Sequence, residues 1–169
     1  MDPSTLIQDL VPPPELHLLI GVVSKLGVKL LDLWPGFERW LNSKNIFQRG
    51  YQGRGWDGNN CNTILKHLED LANEVTEFAP QYECFVTCLK KFNLVKKSCF
   101  GMVLEDDFEE VIHNFKTSYQ YLQQKLSSNG HTLTIYWKIH IIFIILGHSS
   151  IVINVPLYAT VSNVASFKI

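Results

Sequence analysis

The sequence predicts a mainly α-helical protein: a bundle of about five helices over residues 14–130, followed by a β-rich or irregular apolar tail over residues 131–169. Three observations carry that prediction. Apolar residues recur three and four apart through most of the first 130 positions, the period of a helix with one buried face. Prolines and glycines fall between those segments rather than inside them. The composition then breaks: all 16 acidic residues precede His131, and beyond it the only Lys or Arg are Lys138 and Lys168.

Residues 1–13 form an extended lead-in, because Pro12-Pro13-Pro14 stops any helix before it. Glu15 then opens a helix whose buried stripe is Leu16, Leu19, Ile20, Val23, Leu26, Leu30 and Trp34. His17, Gly21, Lys25, Lys29 and Asp32 line its opposite side. Pro35-Gly36 ends it, and a short helix follows over Phe37 to Ser43. Residues 45–60 read as an irregular loop, with Tyr51 and Trp56 interspersed among Gly50, Gly53, Gly55 and Gly58.

The next helix spans about Asn60 to Glu77, with Asn59 or Asn60 as N-cap and Ile64, Leu65, Leu68, Leu71, Ala72 and Val75 buried. Pro80 sits where a first-turn proline belongs, and the helix after it buries Tyr82, Phe85, Val86, Leu89, Phe92 and Val95. Ser98 to Gly101 breaks the pattern. The last helix gathers Glu105, Asp106, Asp107, Glu109 and Glu110 at its start and Lys125 near its end, both favourable to the helix dipole. Its apolar face is Phe108, Val111, Ile112, Phe115, Tyr119, Leu122 and Leu126, and Gly130 closes it. Periodicity does not decide between strand and buried helix for Thr132 to Leu146, and Ile151 to Val164 is β-rich by propensity.

A chain of 169 residues that is 46% hydrophobic can bury one sizeable core. Its net charge of −1 gives no general attraction to nucleic acid or anionic lipid. Lys90, Lys91, Lys96 and Lys97 are the one local basic cluster, a candidate nucleic-acid-binding face or a solvated helix side. The four cysteines, Cys61, Cys84, Cys88 and Cys99, form no CxxC pair. With no N-terminal signal pattern, an intracellular, reduced protein is expected. The apolar run Ile135 to Leu146 is shorter than the roughly 20 residues of a membrane span, so a membrane partner is not the leading expectation.

Motifs with chemistry of their own are sparse. Gly147-His148-Ser149-Ser150-Ile151 is half of a nucleophile elbow, but Ile151 stands where the second glycine belongs. The acidic run from Glu105 lacks the alternating oxygen ligands of a calcium loop. Gly50 to Gly58 precedes a helix and could cradle a phosphate, but no Lys-Ser/Thr follows. His67, His113, His131 and His140 show no paired zinc spacing with the cysteines.

Four segments, in order, resemble the RNase H-like DDE transposases, specifically the Transib group and the related V(D)J recombinase catalytic chain. Pro14-Glu15-Leu16-His17-Leu18-Leu19-Ile20-Gly21 is similar to the Leu-His helix carrying the second catalytic acid. Asp57-Gly58-Asn59-Asn60-Cys61 resembles the family's Gly-Asn motif. Val95-Lys96-Lys97-Ser98-Cys99 resembles its Cys-containing insertion segment, and Trp137-Lys138-Ile139-His140-Ile141 its His-containing element before the third acid. The resemblance spans residues 9–143.

It implies the helical insertion region of an RNase H-like transposase, a DNA partner, and three carboxylates around two divalent cations, Mg or Mn. This sequence departs from that set. The first acid would lie upstream of Met1. Glu15 is adjacent to the second position and Asp9 more distant, while the third would follow His140, where no Asp or Glu occurs. Of the two-cysteine, two-histidine zinc site, Cys99 and His140 match one of each, and Leu104 and Ile145 occupy the partner positions. The expectation is therefore a truncated, catalytically incompetent transposase-like fragment without a cofactor or small-molecule substrate, nuclear if the parent function persists. After Phe143 the chain leaves the family pattern, and little order is expected there. The rival expectations are a helical module binding DNA or protein, and a small membrane-associated protein using residues 135–161.

Overall fold

The computed structural model describes residues 14–48, 54–99 and 105–133. Within them the chain is mainly helical, with no strand: α1 (Pro14–Leu33), α2 (Pro35–Ser43), α3 (Gly58–Lys66), α4 (Leu68–Phe78), a 3-10 turn (Pro80–Tyr82), α5 (Glu83–Cys99) and α6 (Phe108–Ser128). The lead-in, Asp9, Leu104, His140, Ile145, Gly147–Ile151 and the tail from residue 134 lie outside the described residues. None of the described helices is long and apolar enough to cross a membrane.

α1 is buried on more than one stripe. Leu18, Leu19, Val22, Val23, Leu26 and Leu30 are all buried, because α2 and α3 pack on this helix and so does α5. Leu16, expected in the buried stripe, is 37% exposed, whereas Leu18 and Val22 outside that stripe are interior. A helix with several packing partners needs a wider apolar arc than a single period marks.

Trp34 is the pivot from α1 to α2. Its N–H still bonds the Leu30 carbonyl at 2.8 Å, and its own carbonyl accepts from Phe37 at 3.0 Å. Pro35 therefore both ends α1 and occupies the first turn of α2, where its missing N–H costs nothing. The Phe37 and Trp40 rings stack at 5.6 Å. α2 ends in a Schellman motif. Asn45 takes a left-handed φ of 56°, and its N–H reaches the Asn42 carbonyl at 3.1 Å. The Ile46 N–H reaches the Leu41 carbonyl at 3.0 Å, with both side chains buried.

The single helix expected over Asn60 to Glu77 is two helices meeting at His67, whose φ of −103° and ψ of 24° leave the α region. The His67 N–H is shared between the Thr63 and Ile64 carbonyls at 3.2 Å each. The bend lets α3 follow α1 while α4 follows α5. The N-cap is Asp57 rather than Asn59 or Asn60: its Oδ1 accepts the Asn60 N–H at 2.9 Å.

Pro80 opens a 3-10 turn instead of α5 itself. Tyr82, expected inside the helix, is half-buried in that turn, and its hydroxyl donates to the Leu33 carbonyl at 2.8 Å. That bond satisfies one of the orphan carbonyls at the end of α1. α5 contacts α1, α3, α4 and α6 and buries Phe85, Val86, Cys88, Leu89, Phe92, Val95, Ser98 and Cys99. It runs antiparallel to the α3–α4 pair: Lys90 meets Glu69 at 2.7 Å and Lys96 meets Asn62.

The partner of α6 is α5. Phe115 lies 5.3 Å from Phe92 and 6.0 Å from Tyr119. Gly130, at φ 75°, completes a second Schellman motif, with Gly130 N–H to Ser127 at 3.1 Å and His131 N–H to Leu126 at 2.9 Å. The chain then turns back along α6, where Gln123 Nε2 donates to the Leu133 carbonyl at 2.7 Å.

Candidate functional site

Three of the four segments singled out in the sequence, residues 14–21, 57–61 and 95–99, meet at one end of the bundle, while the fourth, residues 137–141, lies outside the described residues. Leu16, in the first turn of α1, packs over Gly58 at the start of α3; a Cβ on residue 58 would stand 2.6 Å from Leu16 Cδ1. Asn62, one turn into α3, accepts from Lys96 near the end of α5. Asn60 Nδ2 reaches back to the Phe47 carbonyl at 3.3 Å. Three stretches distant in sequence thus meet because α1 and α3 start, and α5 ends, at the same place.

Beside the charges of Glu15, Asp57 and Lys96, this end presents two large apolar side chains. Leu16 is 37% and Phe47 56% exposed; exposed His17 follows Leu16, and exposed Asn59 follows Gly58. Neither large residue carried a sequence signal. The helical period places Leu16 in the core, and Phe47 lies in a stretch with no period. Glu15, the nearest candidate for a second catalytic acid, is half-buried in the first turn of α1, where a carboxylate also favours the helix dipole. The start of α3 carries its own anion, since Asp57 already occupies the Asn60 N–H. A phosphate there would face a carboxylate, which opposes the phosphate-cradle expectation for Gly58.

The chain matches no known protein-family model, no curated protein and no solved structure. The chemistry of the site therefore rests on its own residues.

The four lysines do not form one face. Lys90 and Lys97 are two turns apart on the outer strip of α5, beside exposed Glu83, Thr87 and Leu94. At about 100° per residue, Lys91 and Lys96 fall on opposite flanks of that strip. Lys90 is paired to Glu69, and Lys96 bonds Asn62. Lys96 and Lys97 occupy the last turn of α5, where cations offset the helix dipole. That turn also adjoins the acidic start of α6, for the Glu105 N–H bonds the Ser98 carbonyl at 3.1 Å.

Cys99 is buried at the end of α5. Burial pushes its thiol above the usual range, and the Asp107 charge adds to that. Cys61 is pushed up to about 12, chiefly by burial, opposed by its hydrogen bond with Ser24 at 3.8 Å and raised slightly further by Asp57. Burial raises Cys88, with the neighbouring Cys84 adding to the effect. Burial also raises Cys84, opposed by Lys125. Thiols held in the neutral form are poor nucleophiles and poor metal ligands. Among the described residues no three His, Cys, Asp or Glu side chains stand close enough to hold a metal ion. The acids Glu105, Asp106, Asp107, Glu109 and Glu110 are all exposed.

Two clefts among the described residues open elsewhere. One of about 300 Å³ between α2 and α4 is lined by Gly36, Arg39, Trp40, Ser43, Glu74 and Phe78. The other, of about 160 Å³, lies between α5 and α6 and includes Cys84, Tyr121 and Lys125. Beside the first, Lys44 pairs with Asp70 and holds its carboxyl below the usual range; the Trp40 indole N–H favours the same charged form without meeting hydrogen-bond geometry.

Proposed function

We propose that this chain is a non-catalytic helical interaction module related to the insertion region of the DDE transposases, and that it contacts protein rather than DNA. One observation carries the reading. The Leu16-His17 and Asp57–Asn60 segments, which bear the resemblance, pack on each other and leave Leu16 and Phe47 exposed at that end. Charge favours a protein partner over DNA, because Lys90 is neutralised by Glu69 and the end of α5 adjoins the acidic start of α6. The proposed setting is intracellular, and nuclear if the parent function persists.

The catalytic part of the proposal is tested with the full chain, labelled duplex DNA and Mg or Mn. The expected result is no cleavage and no strand transfer. Metal-dependent cleavage abolished by Glu15→Gln would overturn the proposal and make Glu15 a catalytic carboxylate.

A further inference from the structure

We draw no further inference here: the strongest candidate, the cleft of about 300 Å³ between α2 and α4 with Arg39, Glu74 and the exposed Phe78 around it, is an unpartnered face and nothing in the structure shows what covers it.

Discussion

Replacing Gly27 by alanine should destabilise the protein, although alanine is the better helix former. Gly27 lies in the middle of α1, where the exchange alone would gain about 1 kcal/mol. Against that, the new Cβ would stand 2.6 Å from Trp56 Cζ3 and 3.1 Å from Cη2, well inside the ~3.5–4.0 Å of ordinary carbon contacts. The indole cannot step aside cheaply. Trp56 is fully buried, Phe37 meets it edge-on at 6.4 Å, and its backbone N–H is held by Ser24 Oγ at 3.1 Å. Overpacking of this kind costs about 1–3 kcal/mol, and an overlap this close to a fixed ring belongs in the upper half. The expected net loss is about 1–2 kcal/mol, or roughly 3–8 °C in Tm for a domain of this size. Urea unfolding followed by far-ultraviolet circular dichroism measures it. The same exchange in a Trp56→Leu background should lose its penalty, leaving a coupling energy of about 2–3 kcal/mol in the double-mutant cycle. A Gly27→Ala protein as stable as the parent, with no coupling to Trp56, would refute the placement of the indole on α1.

Three further outcomes follow from local chemistry. Asn45→Gly should stabilise by a few tenths to about 1 kcal/mol and Asn45→Val should destabilise by more, since φ is 56° and only glycine is free of strain there; chemical denaturation of both variants checks the sign. The buried thiols should make stability fall on the alkaline side. A thiol raised from 9.0 to about 12, as for Cys61, stays protonated in the fold while the unfolded chain loses its proton. Stability should therefore hold below about pH 9 and decline as pH rises toward 12. At pH 8 a thiol reagent should label half-buried Cys84 first, with Cys61 and Cys88 labelled fully only in denaturant; rapid native labelling of Cys88 would contradict its burial.

The helical class was legible because burial writes a period into the sequence. α5 and α6 were the clearest, each burying a face read from spacing alone, as Phe85, Leu89 and Phe92 and then Ile112, Phe115 and Tyr119 show. The break at His67 was not legible. No glycine or proline marks it, and Ile64, Leu68, Leu71 and Val75 keep one phase across it, so only the need to follow two partners reveals the bend. The Asp57 cap was displaced by two or three positions in the sequence reading, because three cap-competent residues, Asp57, Asn59 and Asn60, stand within four places. Of the candidate site, the convergence of the Leu16 and Gly58 segments depends on how α1 and α3 cross, which local patterning does not encode. The arrangement of the basic cluster was likewise not legible. Four lysines within eight positions look concentrated along the chain, but a helix distributes them around its circumference and neighbouring elements supply Glu69 and Asn62.

That distribution separates the protein-contact reading from the DNA-binding one quantitatively. A cluster delivering all four lysines to phosphates would release counterions with a slope of about −0.9 per contact, or roughly −3.6 in log affinity against log salt for duplex DNA. The structure sets a lower ceiling. Engaging Lys90 requires breaking its 2.7 Å pair with Glu69, engaging Lys96 requires giving up Asn62, and Lys91 and Lys96 cannot face the same backbone from opposite flanks. One or two contacts remain, so the slope expected from fluorescence anisotropy with a labelled duplex is no steeper than about −2. Lys90→Gln should change it little. Glu69→Gln should steepen it if freed Lys90 reaches a phosphate, which checks that the ion pair is what withholds the charge. A slope near −4, flattened by each lysine substitution in turn, would show that α5 presents its cations together and would overturn the protein-contact reading.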